Sequence, residues 1–160
     1  MGLVRIFKNS LKLPSKKALF SLNRESMRDT MIYILVLMFL ICLPDATRIT
    51  YNYIIGERSI PVDLFITQLI IIYPFLVAFL MVAGVSLHAG IAYVTRSFMR
   101  RKLAFQQLWK MTAYALTIPV MLTIILRALQ LDSILLLVLP FILLHVLLYQ
   151  MITVFPKRKT

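Results

Sequence analysis

Residues 64–95, LFITQLIIIYPFLVAFLMVAGVSLHAGIAYVT, decide the fold of this chain because they contain no Lys, Arg, Asp or Glu. A single membrane crossing needs about 20 apolar residues at a rise of about 1.5 Å per residue, so the stretch is longer than one crossing requires. A hairpin would need a polar turn, and Pro74 provides none inside hydrocarbon, where every backbone polar group must be hydrogen-bonded. The stretch therefore predicts one long span that is tilted or kinked at the proline.

Three further apolar stretches complete the prediction of an all-α membrane protein with four transmembrane helices. The expected spans cover residues 30–47, 64–95, 109–127 and 132–155. Together they form one transmembrane domain, 30–155, which follows a basic cytoplasmic segment, 1–29, and precedes a basic cytoplasmic tail, 156–160. The first and third apolar cores are short for a hydrocarbon layer of about 30 Å, whereas the fourth is long enough.

The distribution of charged residues predicts which side of the membrane each connection occupies. The net charge is +5 before the first span, −1 over residues 45–63, +5 over residues 96–110, zero over residues 127–132 and +3 in the tail. Loops rich in Lys and Arg are retained on the cytoplasmic side of a membrane. The order therefore reads inside, outside, inside, outside, inside, and it predicts that both termini are cytoplasmic.

Composition excludes most other classes of protein. Of the 160 residues, 61% are hydrophobic, and the predicted spans contain most of them, so too little sequence remains for a soluble catalytic domain. The chain also lacks a glycine-rich phosphate loop, a Cys-x-x-Cys motif, a His-Glu-x-x-His motif and a pair of carboxylates within a span. The sequence thus predicts neither an enzyme nor a cofactor. Its single cysteine, Cys42, is expected to be a small buried hydrophobic residue.

The N-terminal segment has the pattern of a basic amphipathic helix that lies in the membrane interface. Leu3, Phe7 and Leu11 recur at intervals of four residues, and Pro14 ends the pattern. A candidate lipid or partner surface comprises Arg5, Lys8, Lys12, Lys16, Lys17, Arg100, Arg101 and Lys102. Because these cations lie beside the spans without interleaved aromatic residues for base stacking, they predict anionic lipid at the inner leaflet, and not nucleic acid, as a partner. Two roles stay open, topology determinants or a docking surface for another protein.

Two parts of the chain carry short motifs that match a known pattern. They are NSL at residues 9–11 with LPSKK at 13–17, Phe20, residues 30–33 and Leu43–Pro44, and then QLWKMTAYALTIP at residues 107–119. This pattern resembles the DUF1189 family of bacterial membrane proteins, which is similar to the Yip1-like group of multi-span helical proteins. The resemblance implies a multi-span helical fold in the bacterial cytoplasmic membrane, and it brings no activity and no catalytic residues. Some relatives carry a maltodextrin-utilisation label, which implies a link to sugar uptake.

Five polar side chains are expected in the inner half of the membrane, where polar groups are energetically expensive. They are Tyr33, His88, Tyr114, Thr117 and His145. A hydrogen-bonded cluster of these side chains would join the helices, and a path for a proton or a solute is the alternative. A metal site is not expected, because the two histidines have no carboxylate at a matching depth.

Small residues and a proline predict how two of the spans pack. Ala83, Ser86 and Gly90 form a candidate helix-packing face, since small residues three or four positions apart allow a neighbouring helix to approach closely. Pro119 predicts a kink in the third span, with the hydroxyl of Thr117 available to a freed carbonyl.

Two classes of function agree with these features. The first is a non-catalytic adaptor, accessory or regulatory subunit that binds another integral membrane protein. The second is a small transporter or channel component, with the link to sugar (maltodextrin) uptake that the resemblance implies. The adaptor is favoured because the spans contain no acidic residue apart from Asp45 and Asp132 at their outer ends, and no repeated polar face that could line a pore.

Overall fold

The structure is a computed structural model that describes residues 2–56, 60–128 and 135–157, and this part of the chain contains no β-strand. Its helices are α1 (Leu3–Leu11), α2 (Lys16–Asn23), α3 (Met27–Ile55), α4 (Val62–Thr67), α5 (Tyr73–Phe98), α6 (Phe105–Ala115), α7 (Thr117–Ala128) and α8 (Leu135–Thr153), with a π-helical turn at Gln68–Ile72. The prediction of an all-α chain is therefore confirmed for the described residues.

Among the described residues, three helical stretches are long and apolar enough to cross a membrane. They are Met27–Ile55, Val62–Phe98 and Phe105–Leu126. A shorter apolar helix covers Val138–Thr153 within α8. The three longer stretches thus have the length and composition of membrane spans.

The first long helix, α3, has a defined cap at its beginning and a tight turn at its end. The Ser26 hydroxyl accepts a hydrogen bond from the Asp29 amide at 3.0 Å, and the Asp29 carboxylate lies in the first turn, where it complements the helix dipole. The helix ends at Gly56, whose amide donates to the Asn52 carbonyl at 2.8 Å. A Cβ atom at Gly56 would lie 2.7 Å from that carbonyl oxygen, so only glycine fits without a shift. As a result, α3 continues beyond residue 47, where the first span was expected to end.

The second apolar stretch forms one continuous helix and not a hairpin. Pro74 has no amide hydrogen, so it cannot bond the carbonyl four residues earlier and would clash with it in a regular α-helix. The chain widens into the π-helical turn at Gln68–Ile72, immediately before the proline. The helix thereby passes the proline without ending.

The third apolar stretch is interrupted at Leu116, between α6 and α7. The cause is Pro119, which cannot donate to the carbonyl of Ala115. The Thr117 hydroxyl donates instead to the Tyr114 carbonyl at 2.8 Å, within the interrupted turn. The distortion that the sequence predicts near Pro119 is therefore present.

The N-terminal helices pack against the bundle. Leu3 and Leu11, two residues of the apolar stripe that is expected to face the membrane interface, are exposed on the protein. Ile6 and Ser10 are fully buried, in contact with the core that α3, α6 and α7 provide. α1 thus packs against the bundle through a second face, at Ile6 and Ser10.

The core of the described protein is centred on α6. Leu108, Met111 and Tyr114 of this helix belong to one buried cluster with Leu144 and Met151 of α8. The most apolar window of the stretch containing α6 is 56% buried within the chain, against 33% for α3 and 6% for the helix that ends in α5. α5 therefore lies at the edge of the bundle.

Candidate functional site

Two pairs of hydroxyl groups join α3 to the break between α6 and α7. The Tyr33 hydroxyl lies 2.6 Å from Thr117 Oγ1, and Thr30 Oγ1 lies 2.7 Å from the Tyr114 hydroxyl. All four side chains are at most 1% exposed, and the two tyrosine rings are 5.6 Å apart. The pairs match because each helix presents its two polar residues three positions apart, on one face. We call these four residues the hydroxyl network.

The direction of each bond follows from the single proton that a hydroxyl carries. Thr30 donates its proton to the Ser26 carbonyl at 2.9 Å, and Thr117 donates its proton to the Tyr114 carbonyl. Both threonines must therefore accept from the tyrosines. Each chain of bonds runs from tyrosine to threonine and ends at a backbone carbonyl, which cannot pass a proton further.

Ser10 of α1 lies beside this network. Its side chain is fully buried, and its hydroxyl is near enough to that of Tyr33 to interact with it electrostatically. Within the described residues, Ser10 Oγ makes no hydrogen bond of ordinary geometry. The N-terminal helix α1 thus lies next to the hydroxyl network, and its sequence pattern did not predict this contact.

The two histidines form a separate pair between α5 and α8. The ring centroids of His88 and His145 are 5.2 Å apart, and Phe141 packs against both rings. His145 Nδ1 lies 2.9 Å from the Phe141 carbonyl, so this nitrogen donates a hydrogen bond to it. Within the described residues, His88 Nδ1 and His145 Nε2 are buried without a hydrogen-bond partner.

The five residues predicted to form one polar cluster therefore lie in two groups. Tyr33, Tyr114 and Thr117 meet in the hydroxyl network, which Thr30 completes, while the histidines pair with each other. Thr30 was missed because threonine is common in membrane helices and its partner is 84 positions away. The described residues contain no group of three or more His, Cys, Asp or Glu side chains that could hold a metal ion.

Two of the three small residues of the predicted packing face are not covered by the described part of the chain. Ala83 is exposed, and a Cβ atom at Gly90 would have no described neighbouring atom within 4 Å. Ser86 does pack, because its hydroxyl accepts a hydrogen bond from Trp109 Nε1 at 3.1 Å. The buried positions of α5 are instead Val85, Ala89 and Ala92. Two of the three residues of the predicted packing face are therefore not used within this chain.

The sequence matches the family described as "Protein of unknown function (DUF1189)" over residues 52–155. The chain belongs to the DUF1189 family. No curated protein and no solved structure gives a significant match.

The matched region contains both histidines, the small-residue face and the α6–α7 half of the hydroxyl network. Thr30 and Tyr33, together with α1 and α2, lie before it. The description of DUF1189 assigns no function, so the proposal below rests on the structure and on the sequence.

Lys110 is the most informative residue that the sequence analysis did not single out. Its side chain is 9% exposed, and Nζ donates to the carbonyls of Asn23 at 2.7 Å and Glu25 at 2.9 Å. These carbonyls lie at the C-terminal end of α2, where a cation complements the helix dipole. Lys110 thus fixes α2 to α6, although the charge pattern counted it only as a determinant of topology.

The residues of the candidate lipid or partner surface differ in how exposed their side chains are. The exposed members are Arg5, Lys8, Lys12, Lys16, Lys17, Arg100 and Lys102. Arg101 is half-buried, and its guanidinium donates to the Phe155 carbonyl. The surface therefore has an N-terminal part on α1 and α2 and a second part between α5 and α6.

A cleft of about 330 Å³ separates the end of α3 from the helix that begins at α4. Tyr53 stacks on Phe65 with ring centroids 3.8 Å apart, and its hydroxyl donates to the Ile60 carbonyl. Tyr73 donates to Asp45 Oδ2 at 3.4 Å. These contacts join the C-terminal part of α3 to the helix that begins at α4, whereas the hydroxyl network lies near the beginning of α3.

Proposed function

We propose that this chain is a non-catalytic integral membrane protein with four spans, which acts as an adaptor or accessory subunit of another membrane protein. It resides in the bacterial cytoplasmic membrane with both termini in the cytoplasm. The alternating loop charges support this topology. α8 supports the fourth span, because its 19 residues extend about 28 Å, close to the thickness of the hydrocarbon layer.

The N-terminal helix α1 contributes to the attachment in this proposal. One face, with Ile6 and Ser10, is buried against the bundle, while Leu3, Val4 and Leu11 are exposed beside cationic side chains. An exposed face of this composition suits the boundary between headgroups and acyl chains of an anionic inner leaflet. α1 then lies in the interface with its other face on the protein.

One observation carries the adaptor proposal. α5 lies at the edge of the bundle, and its residues Ala83 and Gly90 are not covered by the described part of the chain. The apolar window of this helix is only 6% buried in the chain. Without a hydrophobic driving force between helices in lipid, close approach at small residues is a main source of helix association. The face is therefore suited to a transmembrane helix of a partner protein.

The closed hydroxyl network argues against transport through the bundle. Its hydroxyls are buried, and both chains of bonds end on backbone carbonyls. The histidine pair is the observation that favours the alternative, a small transporter or channel component, because two of its nitrogens lack partners among the described residues. A proton-coupled flux in reconstituted vesicles that is lost in His88→Gln would favour that alternative.

The adaptor proposal is tested by adding bulk to the small-residue face. A Cβ atom at Gly90 meets no described atom within 4 Å, so we expect Gly90→Leu to fold, and its thermal unfolding in detergent checks this. We expect a partner that co-purifies stoichiometrically from native membranes to be lost in this variant. Val146→Leu is the matched control, because Val146 is exposed on α8. Recovery of the same partner in both variants would contradict the proposal.

A further inference from the structure

The end of α5 gathers three arginines in a Schellman motif. The amide of Arg101 donates to the Arg96 carbonyl at 3.1 Å, and the amide of Arg100 donates to the Ser97 carbonyl at 3.0 Å. Arg100 has φ 47°, in the left-handed region where such motifs usually have glycine. Arg100 therefore occupies a left-handed backbone position that glycine usually occupies.

The segment that follows is fixed to the residues after α8. The Lys102 amide donates to the Pro156 carbonyl at 3.2 Å, and the Arg101 guanidinium donates to the Phe155 carbonyl. Arg101 and Lys157 form an isolated antiparallel bridge. We call Arg96, Arg100, Arg101, Lys102 and Lys157 the basic junction.

Like charges directly opposite each other across two extended segments are destabilising, and Arg101 and Lys157 have this relation. No Asp or Glu occurs in residues 96–110 or 153–157. In the described part of the chain, the ion pair that forms is between Arg28 and Asp29. Within the described residues these cations therefore have no acidic partner, so an external anion is suited to neutralise them.

Two features indicate which groups would bind that anion and where the site lies relative to the membrane. The Nε atoms of Arg96 and Arg101 are buried and have no hydrogen-bond partner within the described residues, and guanidinium groups are suited to phosphate. Arg96 lies over the Tyr93 ring at 4.6 Å, which restricts its side chain. Phe98, between these arginines, is 86% exposed at the end of an apolar helix. An exposed aromatic residue beside arginines is typical of the headgroup layer of a membrane.

We propose that the basic junction binds the phosphate group of an anionic lipid in the inner leaflet. The inner-leaflet position rests on the topology in the proposed function, whereas the phosphate site itself does not depend on it. The apolar helix α5 and Phe98 beside the cations favour a lipid phosphate over free inorganic phosphate, because they provide a surface for the acyl chains.

The test is a titration of the purified full chain in a neutral detergent, with the midpoint of thermal unfolding as the readout. The three probes are short-chain phosphatidylglycerol, short-chain phosphatidylcholine and inorganic phosphate. We expect phosphatidylglycerol alone to raise the midpoint saturably. In Lys157→Gln, the half-saturating concentration should rise about tenfold, the loss expected for one charge-assisted hydrogen bond.

A second variant separates binding from folding. In Lys157→Glu, the new carboxylate lies opposite Arg101, so we expect a higher midpoint without lipid and no further rise with phosphatidylglycerol. Arg48→Glu makes the same change of charge at an exposed position of α3, outside the candidate lipid or partner surface, and should retain the response. An unchanged response in Lys157→Glu, an equal loss in Arg48→Glu, or equal effects of phosphatidylcholine or inorganic phosphate would each overturn the proposal. Because detergent has no sides and no partner is present, failure here is distinct from failure of the topology or of the adaptor role.

Discussion

Each hydroxyl in the network has one proton, and the direction of that proton determines what the side chain can do. Tyr33 and Tyr114 donate to threonines that have already donated to backbone carbonyls. The tyrosines therefore join helices and do not lead a proton through them. We therefore expect removal of either tyrosine hydroxyl to lower the free energy of unfolding.

Tyr33→Phe removes one donor and leaves Thr117 with an unfilled acceptor in a buried site. Measured hydrogen bonds between membrane helices are worth about 0.6 kcal/mol on average and about 1.7 kcal/mol at most. We expect a loss of this size in the free energy of unfolding, measured by titration with sodium dodecyl sulfate in mixed micelles. Tyr149→Phe is the matched control, because Tyr149 is exposed on α8. Equal stabilities of the two variants would contradict the assigned bond.

Lys110 is the second residue whose role is structural. Lys110→Met keeps a similar length but removes both hydrogen bonds to the end of α2, and hydrogen bonds to charged groups contribute about 1.5–3 kcal/mol each. We expect α2 to detach more readily, so limited proteolysis should cut residues 12–25 several times faster than in the wild-type protein.

Lys12→Met is the control for this proteolysis experiment, because Lys12 is an exposed lysine of the same segment. It should leave the cleavage rate nearly unchanged, apart from the loss of its own site to a lysine-specific protease. A protease that does not recognise lysine avoids that ambiguity. The proposed role of Lys110 fails when both variants are cut at the same rate.

At the scale of helices, the end of α5 has a conformational strain that a substitution can relieve. A residue with a side chain costs about 1–2 kcal/mol in the left-handed region, whereas glycine does not. Arg100→Gly and Arg100→Ala remove the same charge, so their difference isolates the backbone term. We expect the glycine variant to be about 1 kcal/mol more stable in detergent unfolding. A more stable alanine variant would contradict the left-handed conformation at this position.

Local sequence signals predicted several features of the helices. Pro119 indicated the break in the third apolar stretch, and the uncharged residues 64–95 indicated one helix. The burial of Ile6 and Ser10 of α1 was not predicted, because it depends on the tertiary surface against which the helix packs. The extension of α3 to Ile55 was also missed, since its charged residues indicated a loop while Gly56 ends the helix.

At the scale of the whole molecule, the described helices form a buried core around α6, and α5 lies at the edge of the bundle. α6 is surrounded by other helices, whereas α5 leaves Ala83 and Gly90 uncovered by the described residues. The sequence predicted which polar residues lie within the apolar stretches, but not which of them meet. Tyr33 and Thr117 are 84 positions apart, and their contact depends on how two helices are rotated, which periodicity alone does not determine.

The central claim is that this DUF1189 chain crosses the membrane four times with both termini inside, and thiol labelling in intact cells tests it most directly. In a Cys42→Ser background, single cysteines are placed at Asn52, Ser97 and Ser133, and a membrane-impermeant maleimide is added. We predict labelling at Asn52 and Ser133 in intact cells, and at Ser97 only after permeabilisation. Labelling at Ser97 from the outside would contradict the account.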